Sequence, residues 1–311
     1  MLMVALLWST AGVAVRHLEA ARSFELTFWR SAFNSLALLL GLRWLRGPGL
    51  WGQLRRAPRL VWASGLCWSV MFTAFMVAIS LTSVANVLVT MALGPLLTAL
   101  LARVVLRHHL PARTWVAIWV ASLGIAWMFG HQMGAVDGLL GIAVALAVPV
   151  AAASNWCLLQ YVGHGHGHAE GPADANLNSN AAAPGGDMLL AVLLGALLSA
   201  SVTLPLAWPL QASAHDLALL AALGTFQLAL PCLLVVYLSR ILAGPELALL
   251  GQMEVILGVL WAWLWAGEVP SSAAMLGGAM VLSALIGNEL LAWRGQVAAL
   301  QPSLQPTRRQ A

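Results

Sequence analysis

The chain has 311 residues, of which 61% are hydrophobic and only 8% charged, and its formal net charge is +4. A soluble domain has roughly 25% charged residues, so this composition cannot present a solvated surface and places the chain in a bilayer. No Lys occurs, and the positive balance is carried by Arg alone, which argues against a nucleic-acid surface. Cys67, Cys157 and Cys232 lie in apolar runs and read as small core residues rather than a disulfide framework or a zinc site.

Windows of about 20 apolar residues predict about ten spans, in order Met1–Val15, Phe24–Trp44, Val61–Ser80, Ser83–Leu106, Arg113–Phe129, Gly138–Tyr161, Met188–Trp208, Leu217–Leu238, Leu247–Trp265 and Ala273–Trp293. Each is expected to be a helix, because a spanning segment must satisfy its own backbone hydrogen bonds. The first is short for a crossing, which suggests a start further upstream or a partly embedded helix. Ala11–Ala14 imitates a signal-cleavage site, but almost everything downstream is also apolar, so a leader is rejected. Arg43, Arg46, Arg55, Arg56 and Arg59 follow the second span, Arg107 and Arg113 the fourth, and Arg240, Arg294, Arg308 and Arg309 lie in later connections and the tail. The positive-inside rule then predicts both termini in the cytoplasm. Glu19, Asp137, Asp216 and Glu268 fall outside.

One long connection, 162–187, is rich in Gly, Ala, Asn and Pro and has no apolar periodicity. It reads as a flexible cytoplasmic linker between two five-span halves, 1–161 and 188–293, with a tail at 294–311. His164, His166 and His168 alternate with Gly, which would put all three on one side of an extended strand as weak metal ligands. Nothing nearby fixes a coordination geometry, and no other metal or cofactor is expected.

The halves match weakly at one constant shift, which pairs Gly65 with Gly224, Ser80 with Ser239 and Pro111 with Pro270. Five spans per half is an odd number, so the second copy is expected upside down. Inverted repeats are an architecture of secondary transporters, with the binding site near the midplane. The alternatives are a duplicated channel and a scaffold. Two stretches read as paired arms, Ser83–Pro111, broken by Gly94-Pro95, and Ala243–Pro270.

Four stretches together resemble the drug/metabolite transporter superfamily, in its EamA-type ten-helix form. Leu6–Arg16 (LLWSTAGVAVR) is similar to the family's first helix and Phe24–Leu40 (FELTFWRSAFNSLALLL) to its second. Ser80–Leu106 is similar to the fourth, with its mid-helix Pro, and Leu247–Pro270 to the ninth, with Glu254 and Gly267-Glu268 at the family's spacing. Where the family often has Pro after the ninth-helix Glu this chain has Val255, which puts a kink there in doubt. The fourth helix ends in Arg107-His108-His109 where Gly-Glu is usual. The resemblance implies alternating-access movement of a small metabolite across the inner membrane, as export of amino acids or related compounds, or as uptake of a vitamin or nucleoside-like compound. It implies a cavity lined by the first, third, fourth, sixth, eighth and ninth helices, in a monomer or homodimer.

Within the spans, Glu254 is the sharpest candidate. A carboxylate there costs roughly 2.5–3.5 kcal/mol on insertion scales, so it should face protein or water, binding a cationic group, carrying a coupling proton, or making a helix–helix hydrogen bond. Gln252 lies on another side of the same helix. Glu246, after Pro245, suits a helix start. Arg30 is read as snorkelling to outer headgroups, pairing with Glu25, or attracting an anionic substrate group. Asn86, Thr90 and Thr98 run along a stripe with Gly94, where they line a cavity or let helices approach. Pro95 frees a carbonyl and makes a hinge with Gly94. Trp8, Ser9, Asn155, Trp156, Gln227 and Tyr237 complete the candidate cavity. Trp261, Trp263 and Trp265 read as interfacial anchors. Catalytic groupings are not evident, and without a phosphate loop and its Lys direct ATP drive is not expected. Energy must then come from an ion gradient or from the substrate's own gradient.

Overall fold

A computed structural model describes residues 1–15, 17–21, 23–81, 84–91, 93–105, 111–130, 139–164, 188–242, 244–266 and 272–300. The described residues form helices and connections, with no strand among them, as expected of an all-α membrane protein. Each predicted span has a helical counterpart. The first is α1 (Leu2–Ser9) and α2 (Ala11–Val15), the second α3 (Ser23–Arg46) and the third α5 (Arg59–Leu81), with the short α4 (Leu50–Arg55) between those two. The fourth is α6 (Val84–Met91) and α7 (Gly94–Val105), the fifth α8 (Ala112–Gly130) and the sixth α9 (Leu139–His164). The second half follows with α10 (Met188–Ala207), α11 (Ala214–Ala222) continued through a π segment into α12 (Leu230–Leu238), α13 (Gly244–Gly251), α14 (Met253–Ala266) and α15 (Ser272–Leu300). Four stretches are long and apolar enough to cross a bilayer by themselves: Arg59–Leu81, Ala143–Val162, Met188–Ala207 and Ala214–Leu238. The 162–187 connection lies almost wholly outside the described residues.

The centre is α10, packed between α3 and α5. Its residues Leu190 to Ala196 are all buried, so that stretch is enclosed on every side. In lipid, helices gain little from the hydrophobic effect and associate by close packing and hydrogen bonds. Both devices operate here. At Gly65 of α5 an added Cβ would lie 2.9 Å from Leu194 Cβ of α10, and at Gly224 it would lie 2.6 Å from the Arg30 carbonyl of α3. Ser199 of α10 shares hydrogen bonds with Ser31 of α3 at 2.9 Å and Thr73 of α5 at 2.8 Å, tying the three helices together. The fifth and tenth spans, α8 and α15, pack on each other.

Breaks in the helices have local causes. Pro95 has no N–H to offer Met91, and the chain turns at Leu93, whose N–H bonds Thr90 O at 3.2 Å. The ninth span is also broken, at Gln252, where short-range bonds run from Gln252 N to Leu249 O and from Val255 N to Gln252 O, each 3.1 Å. This corrects the doubt raised by Val255: a turn forms without the Pro. The shift that pairs Gly65 with Gly224 also pairs Leu93 with Gln252 and Pro95 with Glu254, so both arms break at matching positions. In the eighth span, Pro231 cannot donate to the Gln227 carbonyl, and Leu223–Ala229 widens into a π segment.

Candidate functional site

The breaks in the fourth and ninth spans, the π segment of the eighth and Pro149 inside α9 all meet at one cavity of about 130 Å³. Gly94 and Pro95 open α7 onto it, and Gly251, Gln252 and Glu254 bring in the junction of α13 and α14. Its walls also come from Trp8 of α1, from α5, from α9 and from Gln227 to Cys232 of the eighth span. The second span contributes Arg30.

Two opposite charges therefore face one space, Arg30 from the first half and Glu254 from the second, near enough to interact electrostatically. Arg30 is only 4% exposed, and its Nε and Nη1 have no hydrogen-bond partner among the described residues. It neither snorkels nor pairs with Glu25. The Glu25 carboxylate is occupied in the first turn of α3, where it accepts from the N–H groups of Gln211 and Ala212, both at 2.7 Å. Arg30 lies more than a helical turn deeper, and the close approach of Gly224 to its carbonyl holds that stretch of α3 in place. Gln227 donates from Nε2 to Trp8 O at 3.1 Å and leaves Oε1 unpartnered among the described residues. The cavity thus presents a guanidinium, a carboxylate, the Gln227 amide oxygen and the Gln252 amide on a largely apolar wall.

Of the predicted site residues, Trp8, Arg30, Trp156, Gln227, Gln252, Glu254, Gly94 and Pro95 are brought together here. Ser9 is turned away, donating to Leu6 O at 2.8 Å and accepting from the Trp261 indole at 2.8 Å. Trp261 accordingly braces α14 against α1 instead of serving only as an interfacial anchor. Asn155 is fully buried off the cavity and accepts from Ser64 Oγ at 2.6 Å. Thr90 is buried and does not line the cavity. Thr98 donates back to Gly94 O at 2.8 Å, bracing the first turn of α7. Tyr237 is 61% exposed on the outer surface of α12. In a regular helix it would sit about 80° from Gln227, and the extra residue of the π segment turns it by about 100° more, to the far face. The side chains of Asn86 and His164, and all of His166 and His168, lie outside the described residues.

Residues 1–130 match the EamA-like transporter family. That match covers the first 130 of the 311 residues. An uncharacterized transporter of Pseudomonas aeruginosa is 24% identical over 169 residues, a match that covers 49% of this chain and 57% of that protein's length. The uncharacterized transporter YdfC of Bacillus subtilis is 23% identical over 285 residues, 89% of this chain and 85% of its own. A solved crystal structure superposes on 94% of this chain and 96% of its own with a TM-score of 0.72 at 18% identity, which shows that the fold is shared.

The wall of this cavity also holds residues that sequence reasoning passed over, Trp68 and Phe72, beside the anticipated Trp156. Trp68, Phe72 and Trp156 form one aromatic cluster, with Trp68 to Phe72 centroids 5.5 Å apart and Trp68 to Trp156 edge-on at 5.7 Å. Met71, Phe75 and Pro149 continue it, and Cys232, read as a core residue, reaches the space as well. The available signal was Trp68 and Phe72 one helical turn apart in a span already assigned to the cavity, with Met71 and Phe75 repeating that spacing beside them.

Proposed function

We propose that the chain is a secondary transporter that moves a small zwitterionic metabolite, an amino acid or related compound, out of the cell. The single observation that carries the reading is the cavity lined by Arg30 from one half and Glu254 from the other, against the Trp68, Phe72 and Trp156 wall. A substrate carboxylate suits Arg30, whose planar fork binds such groups in two-point fashion. A substrate ammonium suits Glu254 and the free Gln227 oxygen, and an apolar side chain suits the aromatic wall. The volume of about 130 Å³ favours a small metabolite over a drug-sized compound. A packed scaffold would have shut these groups against apolar neighbours.

The two halves would rock about the broken helices, opening the cavity to each side in turn. When no substrate is bound, Arg30 and Glu254 offset each other's charge across the cavity. The placement is the inner membrane with both termini cytoplasmic, following the Arg-rich segment from Arg43 to Arg59. The test is an export and uptake panel of amino acids, vitamins and nucleosides in cells overexpressing the chain against an empty vector. Export of a zwitterion that is lost in both Arg30→Gln and Glu254→Gln supports the reading. Export unaltered by either change refutes the assigned roles, uptake of a vitamin or nucleoside corrects both substrate and direction, and no movement of any compound favours a scaffold.

A further inference from the structure

Two carboxylates outside the cavity make a reciprocal contact across the halves. Asp216, at the start of α11, is fully buried and accepts from three successive N–H groups of the segment joining the first and second spans: Glu19, Ala20 and Ala21, each at 2.9 Å. Glu25, at the start of α3 and 2% exposed, accepts from Gln211 and Ala212 in the segment joining the seventh and eighth spans. Each half thus lends a carboxylate to the other half's connection, at the same end of the molecule. His215 stands 3.9 Å from Asp216 and 4.0 Å from Glu19 and is about half exposed.

Beneath this contact lies an apolar cluster. Leu26, Met76, Leu220 and Leu223 form its buried centre, with Leu18 and Ala21 of the held segment above and Phe75 of the cavity wall below. Layered inward, the order is carboxylate contact, apolar plug, cavity. A carboxylate satisfied by backbone N–H groups is strong when closed, yet those same groups can be met by water when it opens. The bonds join connecting segments of opposite halves, the parts that separate when the halves rock, whereas the cores of α3, α5 and α10 are held by other contacts.

We propose that Asp216 and Glu25 are the gate residues of this face, and that releasing their two sets of N–H groups lifts the segment 18–21 and its plug off the cavity. The proposal rests on the alternating-access reading, but its test needs no substrate. Cys232 lines the cavity and is 0% exposed, so in a Cys67→Ala, Cys157→Ala background it reports opening. The experiment is labelling of Cys232 by a membrane-impermeant maleimide, applied to right-side-out and to inside-out vesicles. Asp216→Asn and Glu25→Gln are each expected to raise the rate from the face carrying residues 19–21 by about tenfold or more, the scale of losing charge-assisted bonds, and to leave or lower the rate from the other face. Ser213→Ala, which removes only the Ser213 side-chain cap that accepts from Asp216 N, should leave both rates alone.

Unchanged labelling in both carboxylate variants, or an equal rise in Ser213→Ala, overturns the gate. So does a lowered Tm without faster labelling, which marks a merely structural contact. If the variants do not fold, hydrogen exchange in the wild type decides. The amides of Glu19, Ala20, Ala21, Gln211 and Ala212 should exchange together and faster than those of α10, and exchange as slow as α10 overturns the proposal. Faster labelling upholds the gate even if no metabolite moves in the panel, whereas unchanged labelling beside measured export removes the gate and leaves the transport reading standing.

Discussion

Gly224→Ala adds one methyl group at a point where three fixed atoms wait for it. The new Cβ would lie 2.6 Å from the Arg30 carbonyl oxygen, 2.7 Å from Phe33 Cβ and 2.8 Å from Asn34 N. Two of these are backbone atoms and the third is a Cβ, so no rotamer change relieves the contact. The π segment and α3 must part by roughly half an ångström or more to approach ordinary contact distance. Overpacking of this kind costs about 1–3 kcal/mol, and because α3 carries Arg30, the charge moves with it. Gly65→Ala meets Leu194 Cβ at 2.9 Å but its next neighbours only at 3.3 and 3.6 Å, so its cost should fall at the lower end of that range. Gly41→Ala meets nothing within 4 Å and should gain about 0.5–1 kcal/mol from helix propensity. The assay is thermal denaturation of the purified protein in one detergent, followed by substrate affinity for the folded variants. The expected order of Tm is Gly41→Ala highest, then wild type, Gly65→Ala and Gly224→Ala, with a loss of affinity in Gly224→Ala alone. A Gly224→Ala protein that melts with the wild type and binds as well would show that this close approach neither packs the fold nor places Arg30.

Ser64→Ala strands a buried Asn155 oxygen and should cost about 0.6–2 kcal/mol of stability with KM unchanged, since Asn155 lies off the cavity. Arg30→Lys keeps the charge but loses the planar fork, so transport should fall by about tenfold yet exceed that of Arg30→Gln, measured as initial rate in proteoliposomes. Trp68→Phe trims the aromatic wall and should cost about 1–3 kcal/mol while raising KM more than it lowers kcat. Single cysteines placed between Arg43 and Arg59 should be labelled only by permeant reagents in intact cells, and labelling by impermeant ones would reverse the proposed topology.

Much of the architecture was legible because a bilayer permits few solutions. Runs of apolar residues must be helices there, so Phe24–Trp44 anticipated α3 and Val61–Ser80 anticipated α5 within a few residues. The cavity was legible wherever a residue is costly inside a span, which is why Glu254, Gln227 and Arg30 stood out. What they touch was not legible, because a partner such as Gln211 for Glu25 lies far along the chain in a connection with no pattern of its own. Tyr237 was misplaced because a π segment adds a residue without any mark beyond Pro231. The break at Gln252 was obscured for a similar reason. Gly94-Pro95 announces its turn in the sequence, whereas Gly251-Gln252-Met253 makes the same turn with residues that tolerate either state. The Trp68 cluster went unread because aromatic residues in an apolar span look like lipid-facing or core residues until the helices are assembled.

The paired breaks give the cavity an electrical asymmetry. Two half-helices, α7 and α14, begin at the cavity wall, and the start of a helix carries roughly half a positive charge. At the start of α14 the chain supplies its own counter-charge in Glu254. At the matching place on α7 stands Pro95, which brings neither a carboxylate nor an N–H. One of the two helix starts is thereby neutralised from within, while the other, with Arg30 on the same wall, remains positive.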